Sequence, residues 1–132
     1  MEDRFNEATP QRPKGDHLLD APVIIMDLAS LVKQIKDEQP WENSDRNAIT
    51  IFKTNGMCIV LVALHAGAEM KTHTASGIIS VQVLNGQITF STKQQSVKLG
   101  NGQMLALHED IPHSVLAEKE TTFLLTIAKY RQ

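Results

Sequence analysis

The pattern of hydrophobic and polar positions changes its period once along the chain, near residue 47. Before that point, four apolar residues follow the i, i+3, i+4, i+7 spacing of one helix face: Leu28, Leu31, Val32 and Ile35. Asp27 is a favourable N-cap, and Pro40 predicts the end because the residue before a proline avoids helical ψ. We therefore predict a helix over residues 27–38, with Trp41 as an anchor that packs this helix onto the body of the protein or onto a partner subunit. The alternative for Trp41 is that it stacks on a ligand.

From residue 48 onward, short segments rich in Val, Ile, Leu, Phe and Thr alternate with turn signals. The predicted strands are Ala48–Thr54, Met57–His65, Ile78–Leu84, Gln87–Thr92, Met104–His108, Ser114–Ala117 and Thr122–Lys129. Asn-Gly pairs at 55–56, 85–86 and 101–102 predict type I′ hairpin turns, because this pair tolerates positive φ at both central positions. The pattern indicates an all-β fold, an antiparallel sandwich or barrel with one N-terminal helix.

The first part of the chain carries weaker signals. Residues 1–20 are polar and contain Pro10, Pro13 and Gly15, which predicts a flexible arm ahead of a domain spanning residues 21–132. Ala21–Met26 has the composition of a short edge strand. The acidic pair Asp37-Glu38 at the end of the helix predicts a solvated surface.

Composition and charge argue against several classes of protein. The chain has 132 residues, and its charged fraction of 21% with a net charge of −2 lacks the basic footprint of a nucleic-acid-binding protein. The apolar run Met57–Leu64 is too short to span a bilayer, and the polar N-terminus does not resemble a secretory signal. The single Cys58 fits a reducing compartment. We expect a cytoplasmic protein that binds neither nucleic acid nor a membrane.

Two blocks of sequence carry the candidate chemistry. Residues 67–86 read GAEMKTHTASGIISVQVLNG, and residues 102–117 read GQMLALHEDIPHSVLA. The blocks resemble the two motifs of the cupin superfamily, G-x5-H-x-H-x3,4-E-x6-G and G-x5-P-x-G-x2-H-x3-N. Fifteen residues separate them, close to the shortest spacing in that family. The resemblance covers about residues 48–129 and implies a small RmlC-like jelly-roll barrel that forms a homodimer.

The resemblance also implies where a metal would be held. In metal-bearing cupins, two histidines and a glutamate of the first motif and a histidine of the second converge on one ion. The first and last of these positions hold His73 and His113, whereas Ala75 and Ile79 stand at the other two. The second motif departs further, with His108 at its proline, Asp110 at its glycine and Ala117 at its asparagine.

Two imidazoles are fewer ligands than a catalytic zinc or non-haem iron centre requires. No cofactor is therefore expected. A divalent metal would need a further ligand, and the carboxylates near the two histidines, on predicted loops, are Glu69, Glu109 and Asp110.

Strand alternation predicts how the same positions line the barrel. Ile79, Val81 and Val83 share one face of their strand, and they face inward if that face lines the interior. Ala75 leaves space where an imidazole would stand. An apolar wall with two polar nitrogens, those of His73 and His113, has the general form of a small-molecule site.

Three functions remain open at this point. The first is a binding module for a small organic molecule, without the full metal-ligand set. The second is a metal-dependent enzyme of the oxygenase or isomerase type that uses His73, His113 and a third ligand. The third is an interaction or scaffold barrel in which the histidines are structural. The sequence does not decide whether the protein is an enzyme.

Overall fold

The computed structural model describes residues 19–129, so the flexible arm predicted over residues 1–20 lies almost entirely outside the described residues. Two helices come first, and nine strands follow. The helices are α1 (Leu28–Asp37) and α2 (Gln39–Asn43), and the strands are β1 (Arg46–Lys53), β2 (Met57–Leu64), β3 (Glu69–His73), β4 (Ile78–Asn85), β5 (Gln87–Thr92), β6 (Ser96–Gly100), β7 (Met104–Leu107), β8 (His113–Ala117) and β9 (Thr121–Ala128).

The strands form two antiparallel sheets that enclose the main core. The larger sheet has the order β1-β2-β9-β4-β7, and the smaller sheet has the order β3-β8-β5-β6. Inward-facing apolar side chains of both sheets form one cluster between them, with Val60, Phe123 and Leu125 from the larger sheet and Ile88 and Val115 from the smaller. The all-β prediction is confirmed.

The position of β2 in the fold explains why its sequence is apolar without interruption. Its alternate residues Val60 and Val62 face the core between the sheets, whereas Leu61 and Ala63 belong to a second cluster on the other face. Helix α1 covers that second face through Ile35. A strand that is buried on both faces needs no polar alternation.

The structure confirms where the predicted helix starts and which of its faces is buried. The Asp27 side chain accepts a hydrogen bond from the backbone N–H of Ser30 at 3.2 Å, which satisfies one of the free donors of the first turn. Ile35 is fully buried against the larger sheet, and Trp41 is almost fully buried in the same cluster. The anchoring role expected of Trp41 is the one that the structure shows.

The role expected of Pro40 is wrong. Helix α1 ends at Asp37, and Glu38 is extended with φ −87° and ψ 155°. Pro40 lies in the first turn of the five-residue helix α2, where its missing N–H has no helical partner to lose. The proline therefore begins a helix instead of ending one.

Glu38 also departs from the solvated surface predicted for the acidic pair. Its side chain is buried, and its Oε1 accepts a hydrogen bond from Asn47 Nδ2 at 2.9 Å. The same Asn47 Nδ2 donates to the carbonyl of Ile35 at 2.8 Å. Asp37 behaves as predicted and pairs at the surface with Lys33.

The edge strand predicted over Ala21–Met26 is absent from the structure, which shows no strand over these residues. The stretch leads into α1, and Val23 and Ile25 are 79% and 91% exposed. Because the β-propensity of a segment depends on a neighbouring strand to pair with, composition alone over-predicted this element.

The Asn-Gly pairs do not form the predicted type I′ turns. The first joins β1 to β2 as a hairpin, but neither Asn55 nor Gly56 has positive φ. The other two pairs connect strands that lie in different sheets, β4 to β5 and β6 to β7, and in each only the glycine has positive φ. A crossing between sheets needs a change of direction at one residue, and Gly86 and Gly102 supply it.

Two strands were missed, β3 and β6. They are the two edge strands of the smaller sheet, and their exposed residues are mostly polar. Charged edge strands protect a sheet against unwanted pairing, but they also lack the apolar alternation that identifies a strand in a sequence.

Candidate functional site

The smaller sheet brings His73 and His113 together. His73 is the last residue of β3, His113 is the first residue of β8, and the two are register partners across the ladder. Their ring centroids are 4.4 Å apart with an interplanar angle of 62°, an edge-to-face arrangement. Forty residues of sequence therefore separate two rings that are in contact.

Each of the two rings is held by the backbone carbonyl of the residue two positions before it in the chain. His73 Nδ1 donates to the carbonyl of Lys71 at 2.7 Å, and His113 Nδ1 donates to the carbonyl of Ile111 at 2.8 Å. A carbonyl oxygen can only accept, so Nδ1 carries the hydrogen in both rings. In the neutral form, the lone pair of each ring then lies on Nε2.

His113 is the more deeply buried member of the pair, with 2% of its surface exposed. Its ring stacks on Phe90 of the neighbouring strand β5 at 5.3 Å between centroids. Burial lowers the pKa of His113, the hydrogen bond to the Ile111 carbonyl opposes this effect, and positive charge on His73 lowers it further. The His113 ring is therefore neutral at neutral pH.

The Nε2 atom of His73 is buried and has no hydrogen-bond partner among the described residues. Leaving a buried acceptor unpaired costs about 1–3 kcal/mol. Most buried polar groups in folded proteins are paired, so such an atom calls for a partner that the described residues do not provide.

The other predicted site residues all lie in the core between the sheets. Alternate residues of β4 are buried, and the core contains Ala75, Ile79, Val81 and Val83. The inward orientation expected of the β4 residues is confirmed by their burial. Their part in binding stays a prediction.

The described residues do not fit a metal centre. No group of three histidine, cysteine or carboxylate side chains comes together between residues 19 and 129. Glu69 lies in β3 instead of the predicted loop and is exposed, as is Asp110. Glu109 lies beside His108, whose side chain is 83% exposed. The described carboxylates near the histidines thus do not complete the ligand set.

Comparison with solved structures identifies the architecture. A conserved protein of unknown function from Streptococcus pyogenes aligns over 86% of this chain and 93% of its own, with a TM-score of 0.67 and 20% identity. A cupin superfamily protein from Desulfitobacterium hafniense aligns over 85% of this chain and 95% of its own, with a TM-score of 0.68 and 15% identity. An RmlC-like cupin from Methanocaldococcus jannaschii, described as a double-stranded β-helix, aligns over 66% and 84% with a TM-score of 0.60 and 13% identity.

The chain has the cupin fold. No protein-family model matches the sequence, and no curated protein matches it. At identities of 20% and below, the cupin neighbours establish the architecture of the chain and leave its ligand to be argued from its own residues.

A third histidine of this cupin fold lies outside the site. His65 follows β2 and stacks on Trp41, with 3.5 Å between ring centroids and an interplanar angle of 18°. Its Nε2 donates to the Trp41 carbonyl at 2.9 Å, so its hydrogen is on the opposite nitrogen from that of the site histidines. The sequence carries no signal for this stack, because α2 and the end of β2 meet only in the folded protein.

The described part of the chain has no helix that is long and apolar enough to cross a membrane.

Proposed function

We propose that this cupin-fold protein binds a small organic molecule beside His73 and His113. The two imidazoles supply the polar contacts, Ala75 leaves room next to them, and Ile79, Val81 and Val83 form the apolar wall. The observation that carries the proposal is the buried Nε2 of His73, which has no hydrogen-bond partner among the described residues. A bound molecule supplies that partner and recovers the cost of the unpaired acceptor.

The donor set favours binding over metal-dependent catalysis. Two contacting imidazoles are present, and the described residues bring no carboxylate to them. At the motif positions where a metal-bearing cupin has its second histidine and its glutamate, this chain has the buried, apolar Ala75 and Ile79. These side chains suit the carbon skeleton of an organic ligand better than the charge of an ion.

The unpaired Nε2 of His73 also argues against the third function, a scaffold barrel that uses only its surface. Such a protein gains nothing from an unpaired acceptor inside its barrel, and a leucine or phenylalanine at residue 73 would avoid the cost. The edge-to-face pair and the two backbone anchors hold both imidazoles in fixed orientations, which is what a binding site requires.

A screen with a matched control tests the proposal. The full chain is titrated with a library of small metabolites, and binding is followed by thermal shift and by the methyl resonances of Ile79, Val81 and Val83. We expect at least one compound to raise the melting temperature and to move these resonances, because a ligand specific for the folded state stabilises it. His73→Ala and His113→Ala should weaken that binding, and His108→Ala, which removes an exposed histidine, should leave it unchanged.

Two outcomes overturn the proposal. One is binding that is unaffected by both His73→Ala and His113→Ala. The other is stoichiometric iron, manganese, nickel or zinc in protein purified without chelator or affinity tag, lost on His73→Ala, which would make the site a metal centre.

A further inference from the structure

We propose that the ligand presents a hydrogen-bond donor, a hydroxyl or a protonated amine, to His73 and His113, and that the site discriminates against carboxylates and phosphates. This inference rests on the proposed function and names the chemical class of its ligand. It follows from which nitrogen of each ring is already used and from the absence of a buried cation among the described residues.

The backbone decides which nitrogens remain for a ligand. Both Nδ1 atoms donate to carbonyls, at 2.7 Å for His73 and 2.8 Å for His113. The neutral rings therefore keep only an acceptor each, on Nε2. The unpaired atom on His73 is this acceptor, so the missing partner must be a donor.

The surroundings of His73 and His113 disfavour the state in which both rings are protonated and both Nε2 atoms could donate. His113 is almost fully buried and stacked against Phe90, and burial lowers its pKa. With the ring centroids only 4.4 Å apart, positive charge on one ring opposes positive charge on the other. A doubly charged pair, which could bind an anion through two N–H donors, is therefore disfavoured.

No buried cation among the described residues compensates for this. Their buried polar and charged side chains are Glu38, Asn47, Thr50, His113, Thr121 and Thr122, and none of these is lysine or arginine. A carboxylate beside the histidines would lose its hydration and face lone pairs in return. A hydroxyl or ammonium group would lose its hydration and gain a hydrogen bond to Nε2.

Four molecules of nearly equal size separate these possibilities. Propan-2-ol and isopropylammonium donate hydrogen bonds, acetone can only accept, and acetate is an anionic acceptor. Each has four non-hydrogen atoms, so affinities will be weak, and NMR titration at neutral pH is the appropriate measurement. The readouts are the Nε2 nitrogen resonance of His73 and the methyl resonances of Ile79, both in the full chain.

We expect propan-2-ol to bind about three- to tenfold more tightly than acetone, which is the range of one net hydrogen bond. Isopropylammonium should also bind more tightly than acetate. Both donors should move the His73 Nε2 resonance toward the value of a hydrogen-bonded acceptor. His65 is an internal control whose resonances should not respond, because its Nε2 is already bonded to the Trp41 carbonyl. His73→Ala should abolish the preference for propan-2-ol over acetone.

The outcomes distinguish this inference from the function on which it rests. If all four probes move the Ile79 methyl resonances with equal affinity, or if acetate binds most tightly, the donor class is wrong and the binding site stands. If none of the probes moves the resonances of His73 or Ile79, the proposed binding site is itself wrong. A His73 ring with its hydrogen on Nε2 in the free protein would also overturn the inference.

Discussion

The backbone N–H of Asp110 donates a hydrogen bond to the carbonyl of Ala75 at 2.9 Å. This bond ties the segment between β3 and β4 to the loop between β7 and β8. In the resemblance to the cupin motifs, Ala75 corresponds to a histidine and Asp110 to a glycine. Asp110 has φ +62°, and it is the one non-glycine residue between positions 19 and 129 with positive φ. Aspartate therefore adopts, at this position, a backbone conformation that favours glycine.

The first prediction follows from that conformation. The left-handed region costs a residue with a Cβ about 1 kcal/mol or more, and aspartate bears it better than most because its short side chain bonds locally. We expect the free energy of unfolding, measured with urea, to be about 1 kcal/mol lower for Asp110→Ala than for Asp110→Gly. Asp110 is exposed, so neither variant changes the core. Equal stabilities of the two variants would show that the loop relaxes to negative φ.

The second prediction concerns the two glycines at which the chain crosses between sheets. A Cβ on Gly86 would collide with Thr121 Oγ1 and the Glu120 carbonyl, whereas a Cβ on Gly102 would meet nothing within 4 Å. Both residues have positive φ, so both alanine variants bear backbone strain. We expect Gly102→Ala to cost about 1 kcal/mol and Gly86→Ala about 3 kcal/mol or more, measured by urea denaturation. A smaller cost at Gly86 than at Gly102 would contradict the close approach.

A third prediction tests the attachment of helix α1 to the larger sheet. Asn47 is buried, and its amide bonds the Ile35 carbonyl and the Glu38 carboxylate. Its Oδ1 accepts from the backbone N–H of Ala48. Asn47→Ala removes all three hydrogen bonds at a buried position, so we expect a loss of about 2 kcal/mol in the free energy of unfolding. Asn55→Ala, an exposed change of the same type, is the control and should cost little.

The fourth prediction is a pH dependence carried by His113. Because its pKa in the folded protein lies below the ordinary value of 6.5, the unfolded chain binds more protons between the two values. The contribution of His113 to the free energy of unfolding is therefore complete above the ordinary pKa and is lost as the pH falls toward the lowered pKa. His113→Gln should reduce the fall of the urea-measured free energy of unfolding as the pH drops below 6.5. Asp45, whose pKa is lowered by its hydrogen bond from Arg46, titrates at more acidic pH. An unchanged slope would show that His113 does not titrate differently on folding.

The homodimer implied by the cupin resemblance leads to a fifth prediction. Val23 and Ile25 are the most exposed large apolar side chains of the described chain, and a second copy would remove them from water. We expect light scattering to give twice the chain mass of 14.7 kDa, and the double variant Val23→Asp, Ile25→Asp to shift the population toward the monomer. A monomeric wild-type protein would disprove the dimer. The variant Met104→Asp, on the exposed face of β7, is the control for added charge.

The sequence predicts most of the fold, because burial imposes a period on it. Helix α1 and seven of the nine strands showed their period. The edge strands β3 and β6 did not, because polar residues and glycine make up most of their sequences. The crossings at Gly86 and Gly102 resembled hairpins because Asn-Gly has the same preference for turns whether the next strand joins the same sheet or the opposite one.

Less of the candidate site than of the fold could be predicted from the sequence. The family resemblance indicated that His73 and His113 belong to one cavity, and strand alternation predicted that Ile79 faces inward. The hydrogen-bonded Nδ1 atoms, the unpaired Nε2 and the stack on Phe90 were not predictable. Each depends on side-chain orientations that arise only when β3, β5 and β8 lie side by side.

The contact between Trp41 and His65 has a practical consequence. Trp41 is the only tryptophan in the chain, and it lies between the helices and the outer face of the larger sheet. Its emission therefore reports whether the helices are docked, whereas far-UV circular dichroism is dominated by the two sheets. If emission changes at a lower urea concentration than dichroism, the helices detach before the barrel unfolds, and the protein has a partly folded state that a single probe would conceal.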